Sequence, residues 1–203
     1  MSNLCEKLIS NCIAADCSNP LYAGVDSMAY IANYSDIASV TYDAENPSII
    51  TAITMKTDTI GSDAVARCFY TVQQLGNKPY EGSQTELVEG TYGNRFNHTV
   101  QLAVVDNGPS ITEQIIDKLA NGKFVVIFKN DYVHSSGDNK YQVYGISKGL
   151  KCTAVTREFY GDNESAYVVT LVEENAPKSG LFLYATSESA TDTMVENLVC
   201  DCD

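Results

Sequence analysis

The side chains best suited to proton transfer near neutral pH are the two histidines, His98 and His134. Neither lies in a recognisable Ser, Cys or metal motif, since His98 opens an alternating apolar segment and His134 lies in a polar loop. Acidic residues are scattered and single out no carboxylate pair, and the glycines at 90 and 93 lack the lysine of a phosphate loop. We therefore expect no enzyme, with no catalytic residue, no cofactor and no cofactor-binding residue.

The cysteines form the second set of candidates. The seven are Cys5, Cys12, Cys17, Cys68, Cys152, Cys200 and Cys202. Because the termini of a domain often lie close together, the five terminal thiols could converge on a zinc ion. Their spacings are not those of a common zinc module and no CxxC pair is present, so we predict no metal site. We expect free thiols, as cytoplasmic synthesis favours, with Cys68 and Cys152 as small core residues of strands.

Composition indicates one acidic, mainly β domain over residues 1–203. The chain has 13 basic and 26 acidic residues and a net charge of −13, which argues against a basic nucleic-acid-binding surface. Thirteen tyrosines, no tryptophan and many β-branched residues favour strands. The start of the sequence does not look like a secretory signal, and no apolar run approaches the ~20 residues that span a bilayer. We expect a soluble protein that is made in a cytoplasm and does not contact a membrane.

The best patterned stretch, 99–128, predicts a strand, a helix and a second strand. Val100, Leu102 and Val104 alternate with polar or small residues, which is the period of a half-buried strand. After the helix, Asn121-Gly122 can end it, and 123–128 is a nearly all-apolar run that predicts a strand. One helix should therefore lie against a sheet whose best strands flank it.

The helix itself has a start signal and an apolar stripe. Ser110 and Glu113 have the spacing of a capping box. Ile115, Ile116 and Leu119 fall on one side at helical spacing, so we expect these three side chains to dock the helix on the sheet.

Shorter strands and turns complete the domain. We predict strands at 28–31, 37–42 and 49–55, with the last two forming a hairpin. Residues 124–132 should pair with 141–146, and 150–158 with 166–173, in a meander. A closing helix is expected within 189–199. The predicted fold is an antiparallel β-sandwich or barrel with one flanking α-helix and an extended loop.

The extended loop is the polar, weakly periodic stretch 57–90. Loops of that length are uncommon in compact domains unless they serve a partner. Its apolar residues are too many for a solvated linker and should need a partner surface to cover them. They are Val65, Phe69, Tyr70, Val72 and Leu75. We expect 57–90 to be an assembly arm outside the domain's own core.

Several segments, in order and spacing, resemble a group of phage virion proteins of the tail-tube type, found in phages and prophages of gut bacteria. The matching segments are CIAADCSNP at 12–20, YDAENP at 42–47, KLANGKFVVI at 118–127, YQVYG at 141–145, TRE at 156–158 and AYVVTL at 166–171. The resemblance implies a structural subunit of the tail, built into a hexameric ring or tube in the virion after synthesis in the host cytoplasm. The partners it implies are further copies of the chain, other tail or connector proteins, and phage double-stranded DNA that passes through the lumen without specific binding.

Two other functions stay open. A head-to-tail connector or another ring protein of the virion would share the same class of assembly. A carbohydrate-binding or receptor-binding β-sandwich module is the alternative of another class, since thirteen tyrosines could supply stacking platforms for sugars. The acidic charge suits a lumen that repels DNA phosphates, and it equally suits plain solubility.

Overall fold

The computed structural model describes residues 25–60, 63–73, 82–91, 93–104, 108–157 and 166–200. The fold is mainly β, as predicted. The strands of the described residues are β1 (Val25–Asn33), β2 (Ile37–Tyr42), β3 (Ile49–Met55), β4 (Thr57–Ile60), β5 (Asp63–Ala66), β6 (Tyr70–Gln73), β7 (Gly82–Val88), β8 (Arg95–Val104), β9 (Lys123–Asn130), β10 (Tyr141–Tyr144), β11 (Leu150–Arg157), β12 (Tyr167–Ala176) and β13 (Leu181–Leu183).

Helical segments are fewer and shorter. They are a 3₁₀ turn (Tyr34–Asp36), α1 (Pro109–Ile111), a π turn (Thr112–Ile116), α2 (Asp117–Asn121) and α3 (Glu188–Leu198). We call the continuous run of α1, the π turn and α2 the central helix. Among the described residues, no helix has the length and apolar character needed to cross a bilayer.

Strand β9 is the centre of the sheet. One of its edges pairs with β1. On the other edge, the start of β9 pairs with β11 and the later residues pair with β10. Phe124, Val126 and Phe128 belong to one core cluster, while Val125 and Ile127 belong to a second one. Because side chains alternate across a strand, β9 is buried on both faces, which explains its nearly continuous apolar sequence.

The sheet folds back on itself around β9. Its strand order is β2-β3-β13-β10-β9-β11-β12-β8-β7, with β1 and β6 on the remaining side of β9. Residues of β8 and β12 share one core with β9 and the central helix, while residues of β3, β10, β13 and α3 share the other. A sandwich-like β fold with helices is therefore confirmed. Two details differ from the prediction: β3 and β13 run parallel, and β11 pairs with β9 and not with β10, so the strands do not form a simple meander.

The corner between β10 and β11 is held by a buried carboxylate. Glu173 of β12 accepts hydrogen bonds from the backbone N–H groups of Gly145 (3.1 Å), Ser147 (3.0 Å) and Lys148 (2.7 Å). Gly145 has a φ of 85°, and a Cβ there would lie 2.4 Å from the carbonyl oxygen of Phe124, so only glycine fits. The chain can therefore leave the edge of β9 and enter the other half of the sheet without unpaired backbone groups at the turn.

Helix α3 closes the second core, which confirms the predicted closing helix. Ser187 caps its start by accepting a hydrogen bond from the N–H of Ala190. Lys140 reaches Asp192 on the helix (2.8 Å), and the Tyr141 hydroxyl donates to the same carboxylate (2.9 Å). Burial raises the pKa of Asp192, but the hydrogen bonds from Lys140 and Tyr141, together with the positive charges of Lys140 and Lys129, outweigh burial and lower the pKa. The pKa of the Tyr141 hydroxyl is raised by burial and by its hydrogen bond to Asp192.

The central helix departs from the prediction at its start and on its stripe. Gly108 is the N-terminal cap and Pro109 the first helical residue, so Ser110 and Glu113 do not form the predicted capping box. Ile116 and Leu119 are buried as predicted, but Ile115 is 38% exposed, and its predicted docking role is wrong. The reason is the π turn: its i→i+5 hydrogen bonds widen the turn and shift side chains away from α-helical spacing.

The stretch 57–90 is not the separate arm that we expected. Phe69 is fully buried in the second core, and β6 and β7 are hydrogen-bonded into the main sheet. Local periodicity missed this because the partners of Phe69 are remote in sequence: its N–H donates to the carbonyl oxygen of Leu198 and its carbonyl accepts from the N–H of Cys200. Only β4 and β5 form a separate two-stranded sheet.

The other predicted arm residues fall in different places. Tyr70 is exposed and Val72 is half-buried against the first core. Val65 lies in β5, opposite Asp58 of β4. Leu75 lies outside the described residues. Contact of this stretch with a neighbouring subunit stays a prediction.

The π turn yields a matched pair of helix variants. Leu119→Ala should lower the free energy of unfolding by about 2–5 kcal/mol, because it leaves a cavity in the core. Ile115→Ala truncates a partly exposed side chain and should cost no more than about 1 kcal/mol. Chemical denaturation of both variants measures the difference. Equal costs would contradict the placement of the two side chains.

Glu173 yields a second pair. Glu173→Ala should lower the free energy of unfolding by at least about 2 kcal/mol, since it leaves buried N–H donors at the corner without an acceptor. The matched control is Glu174→Ala, which removes an exposed carboxylate from the next position. Urea denaturation compares them, and an unaffected Glu173→Ala variant would show that the corner does not need the carboxylate.

Candidate assembly interface

His98 has a structural place in the core. Its Nε2 lies 2.9 Å from the carbonyl oxygen of Lys178, which can only accept, so Nε2 carries the proton and donates. In the neutral ring, Nδ1 then accepts from the Thr85 hydroxyl at 3.0 Å. Both ring nitrogens are thus occupied, and the Tyr144 ring packs edge-on at 5.6 Å. His134 lies in the β9–β10 loop, with Nδ1 4.0 Å from a carboxylate oxygen of Asp138.

The cysteines differ from the expected free thiols. Cys68, which lies between β5 and β6, forms a disulfide with Cys200, and their Cα atoms are 5.4 Å apart. The expectation that Cys68 is a free, strand-borne core residue is therefore wrong. Cys152 is a free, half-buried thiol of β11, and burial raises its pKa, as expected for a packing residue.

The zinc question stays open at the termini. The described part of the chain contains no group of three or more His, Cys, Asp or Glu residues placed to hold a metal ion. Cys5, Cys12, Cys17 and Cys202 lie outside the described residues, so the absence of a terminal zinc site stays a prediction.

The surface feature best suited to contact another protein is the set of open sheet edges. Within the described residues, β2 pairs only with β3, β6 only with β1, and β7 only with β8. An edge strand presents a row of free N–H and C=O groups that another strand can pair with. Natural proteins often protect such edges with charged residues or proline, but β2 and β6 contain neither.

Each open edge also exposes one large apolar side chain. Tyr42 on β2 is 43% exposed, Tyr70 on β6 is 51% exposed and Leu87 on β7 is 57% exposed. In the described part of the chain, two further large hydrophobic residues are exposed, Ile115 and Val155. Apolar side chains placed beside unpaired backbone are typical of surfaces that another strand covers.

Strand β7 is the most regular of these edges. Its residues pair with β8 without a register shift, whereas the β2–β3 pair shifts register twice. Two side chains fix β7 from the core side: the Ser83 hydroxyl lies 2.9 Å from the Tyr144 hydroxyl, and Thr85 donates to His98. A strand whose register is already fixed loses little conformational freedom when its free edge pairs, which makes this edge suited to binding a further strand.

Sequence reasoning missed this edge. It assigned 82–88 to the arm and did not name Leu87. The signal that was available is alternation, since Ser83 and Thr85 point to one face while Gln84 and Glu86 hydrogen-bond to each other on the opposite one.

Comparison with known proteins yields no match: no family model, no curated protein and no solved structure resembles the chain at a significant level. The resemblance to tail-tube proteins therefore stays a prediction from the sequence.

Measurements of the free energy of unfolding test the disulfide between Cys68 and Cys200. In oxidising buffer, Cys68→Ser should lower the free energy of unfolding by about 2–5 kcal/mol, because the bond closes a long loop in the unfolded chain. In reductant the variant and the parent protein should differ little. Cys152→Ser is the control, and should respond equally in both buffers. A parent protein whose stability ignores reductant would contradict the bond's role.

Proposed function

We propose that the chain is a structural virion protein of the tail-tube type, whose copies join edge to edge into a ring or tube. The observation that carries this proposal is the coincidence of open strand edges with exposed apolar side chains at Tyr42, Tyr70 and Leu87. The sequence resemblance gives the phage tail as the setting and six as the expected number of subunits.

Because the open edges belong to different strands, they suit a ring. If β7 of one copy pairs with β2 of the next, each contact joins two different surfaces, and such heterologous contacts close into rings when the rotation between copies allows it. The sandwich core lies away from both edges, so the subunit need not refold to assemble. The open edges support the capacity of these strands to pair with another copy. Which edge pairs with which is part of the proposal.

The acidic composition is compatible with a channel for DNA. Carboxylates at a lumen repel phosphate and leave few cations to hold it, so DNA can pass without binding.

The experiment is imaging of the purified protein combined with edge variants. The parent protein should form rings or tubes visible by negative-stain electron microscopy. Leu87→Lys should abolish them, because a charged side chain on an edge strand blocks pairing. Ile115→Lys is the matched control: Ile115 is also exposed, but it lies on the π turn and not on a strand, so this variant should still assemble.

Four outcomes are informative. A parent protein that stays monomeric at high concentration would overturn the proposal. Rings that persist in Leu87→Lys would show that β7 is not the joining edge. Rings with a symmetry other than six would favour the connector alternative, and glycan binding by a stable monomer would favour the carbohydrate-binding module.

A further inference from the structure

A cleft of about 710 Å³ lies beside the corner between β10 and β11. It is lined by the first residues of β9 and β11, by the corner itself and by the end of β12. Three of its lining residues are lysines, Lys123, Lys148 and Lys151, against one carboxylate, Glu174, in a chain whose net charge is −13. This cleft is therefore a local concentration of positive charge on an acidic protein.

The strand register forces two of these charges together. Lys123 and Lys151 are direct partners in the antiparallel pair of β9 and β11, and Lys148 lies in the corner just before β11. Like charges directly opposite each other across two strands are destabilising. A bound anion would relieve that repulsion.

Within the described residues, none of the three side chains forms an ion pair or a hydrogen bond. Lys140 and Arg67, in contrast, each have a carboxylate partner, Asp192 or Glu188 for the lysine and Asp58 for the arginine. The three lysines are exposed, so their ammonium groups are available to a partner that brings negative charge.

The corner shapes what that partner can be. Its backbone N–H groups at Gly145, Ser147 and Lys148 are already taken by Glu173. The cleft therefore lacks the free backbone donors that typically cradle a phosphate, and offers separated ammonium groups instead. Separated point charges on flexible stems suit several carboxylates on one surface.

A second copy of the chain supplies such a surface. Apart from the three lysines, the chain has ten basic residues against 26 acidic ones, so any copy approaches with a strongly negative surface. The start of β2 lies near the cleft, because Tyr34, which lines the cleft and donates a hydrogen bond to the carbonyl oxygen of Ser147, lies three residues before β2. The pKa of Tyr42 is raised by burial and then by the charge of Glu173, which agrees with a β2 edge close to the corner.

The matching carboxylates lie on the other edge. Glu86 and Glu89 flank the exposed Leu87 at the end of β7, and both are exposed. In a ring where the β7 edge of one copy meets the β2 edge of the next, this pairing brings Leu87 and both carboxylates toward the lysine cleft.

We propose that the cleft of Lys123, Lys148 and Lys151 receives Glu86 and Glu89 of a second copy of the chain, so that one charged contact accompanies each edge pairing. This inference rests on the proposed ring or tube. It adds a direction to the contact, since the lysine side of one copy always meets the glutamate side of the next.

Charge reversal on each side tests the contact. Lys148→Glu with Lys151→Glu, and separately Glu86→Lys with Glu89→Lys, should each raise the concentration needed for assembly by at least about tenfold, because like charges then face each other. An equal mixture of the two double variants should assemble near the parent concentration, since every contact in an alternating ring again joins opposite charges. Light scattering against concentration measures all three samples.

The matched control is Lys118→Glu with Lys178→Glu. These lysines do not line the cleft, but their replacement makes the same change in net charge. The control should assemble near the parent concentration. A control that fails equally would show that net charge, and not this contact, controls assembly.

Zero-length carbodiimide cross-linking gives an independent readout. Parent protein mixed from ordinary and ¹⁵N-labelled chains should yield mixed-isotope peptides that join a cleft lysine to Glu86 or Glu89. Rings without such peptides would overturn this inference and leave the proposed function standing. Cross-linked pairs without rings would support the contact and count against a tube, and a purely monomeric protein would overturn both. Retention of a double-stranded DNA fragment that is lost in Lys148→Glu, Lys151→Glu would assign the cleft to phosphate and overturn the proposal.

Discussion

The fold depends on one buried charge at the place where the sheet turns. An ionised carboxylate inside a protein is costly unless its lone pairs are satisfied, and Glu173 satisfies them with three backbone N–H groups of a single turn. That turn directs the chain from one half of the sheet into the other. Each half packs its own core cluster against β9, and the two halves keep their relative place only while the turn keeps this conformation, so a polar interaction sets the geometry in which the apolar packing occurs.

Strand β9 explains why the apolar packing lies away from the outermost strands. It is buried on both faces and paired on both edges, and each face supports its own core cluster. The subunit's apolar packing is thereby concentrated at the centre of the sheet. The outermost strands, β2 and β7, carry little of that packing and keep their outer backbone groups unpaired within the described residues. A stable monomer fold and open edges are therefore compatible in one chain.

The sequence pattern predicted those strands and turns that are determined by residues close together in the chain. The hairpin of β2 and β3 lies at the predicted bounds because its alternation and its turn residues agree, and β9 is visible as a run of apolar residues. Ile115 was misplaced because a π turn breaks the spacing that the prediction assumed. Phe69 and the bond between Cys68 and Cys200 could not be found this way, since their partners are more than a hundred residues distant. The lysine cleft was equally hidden, because strand register, and not sequence spacing, brings Lys123 opposite Lys151.

The bond between Cys68 and Cys200 also has a mechanical meaning. It spans 132 residues, and the enclosed part of the chain includes β6 through α3 and thus both halves of the sheet. A pulling force applied at Cys200 would pass through the covalent bond directly to Cys68 and would bypass every strand between them. The chain between the two cysteines could therefore not be drawn out to its full length by such a force while the bond is intact.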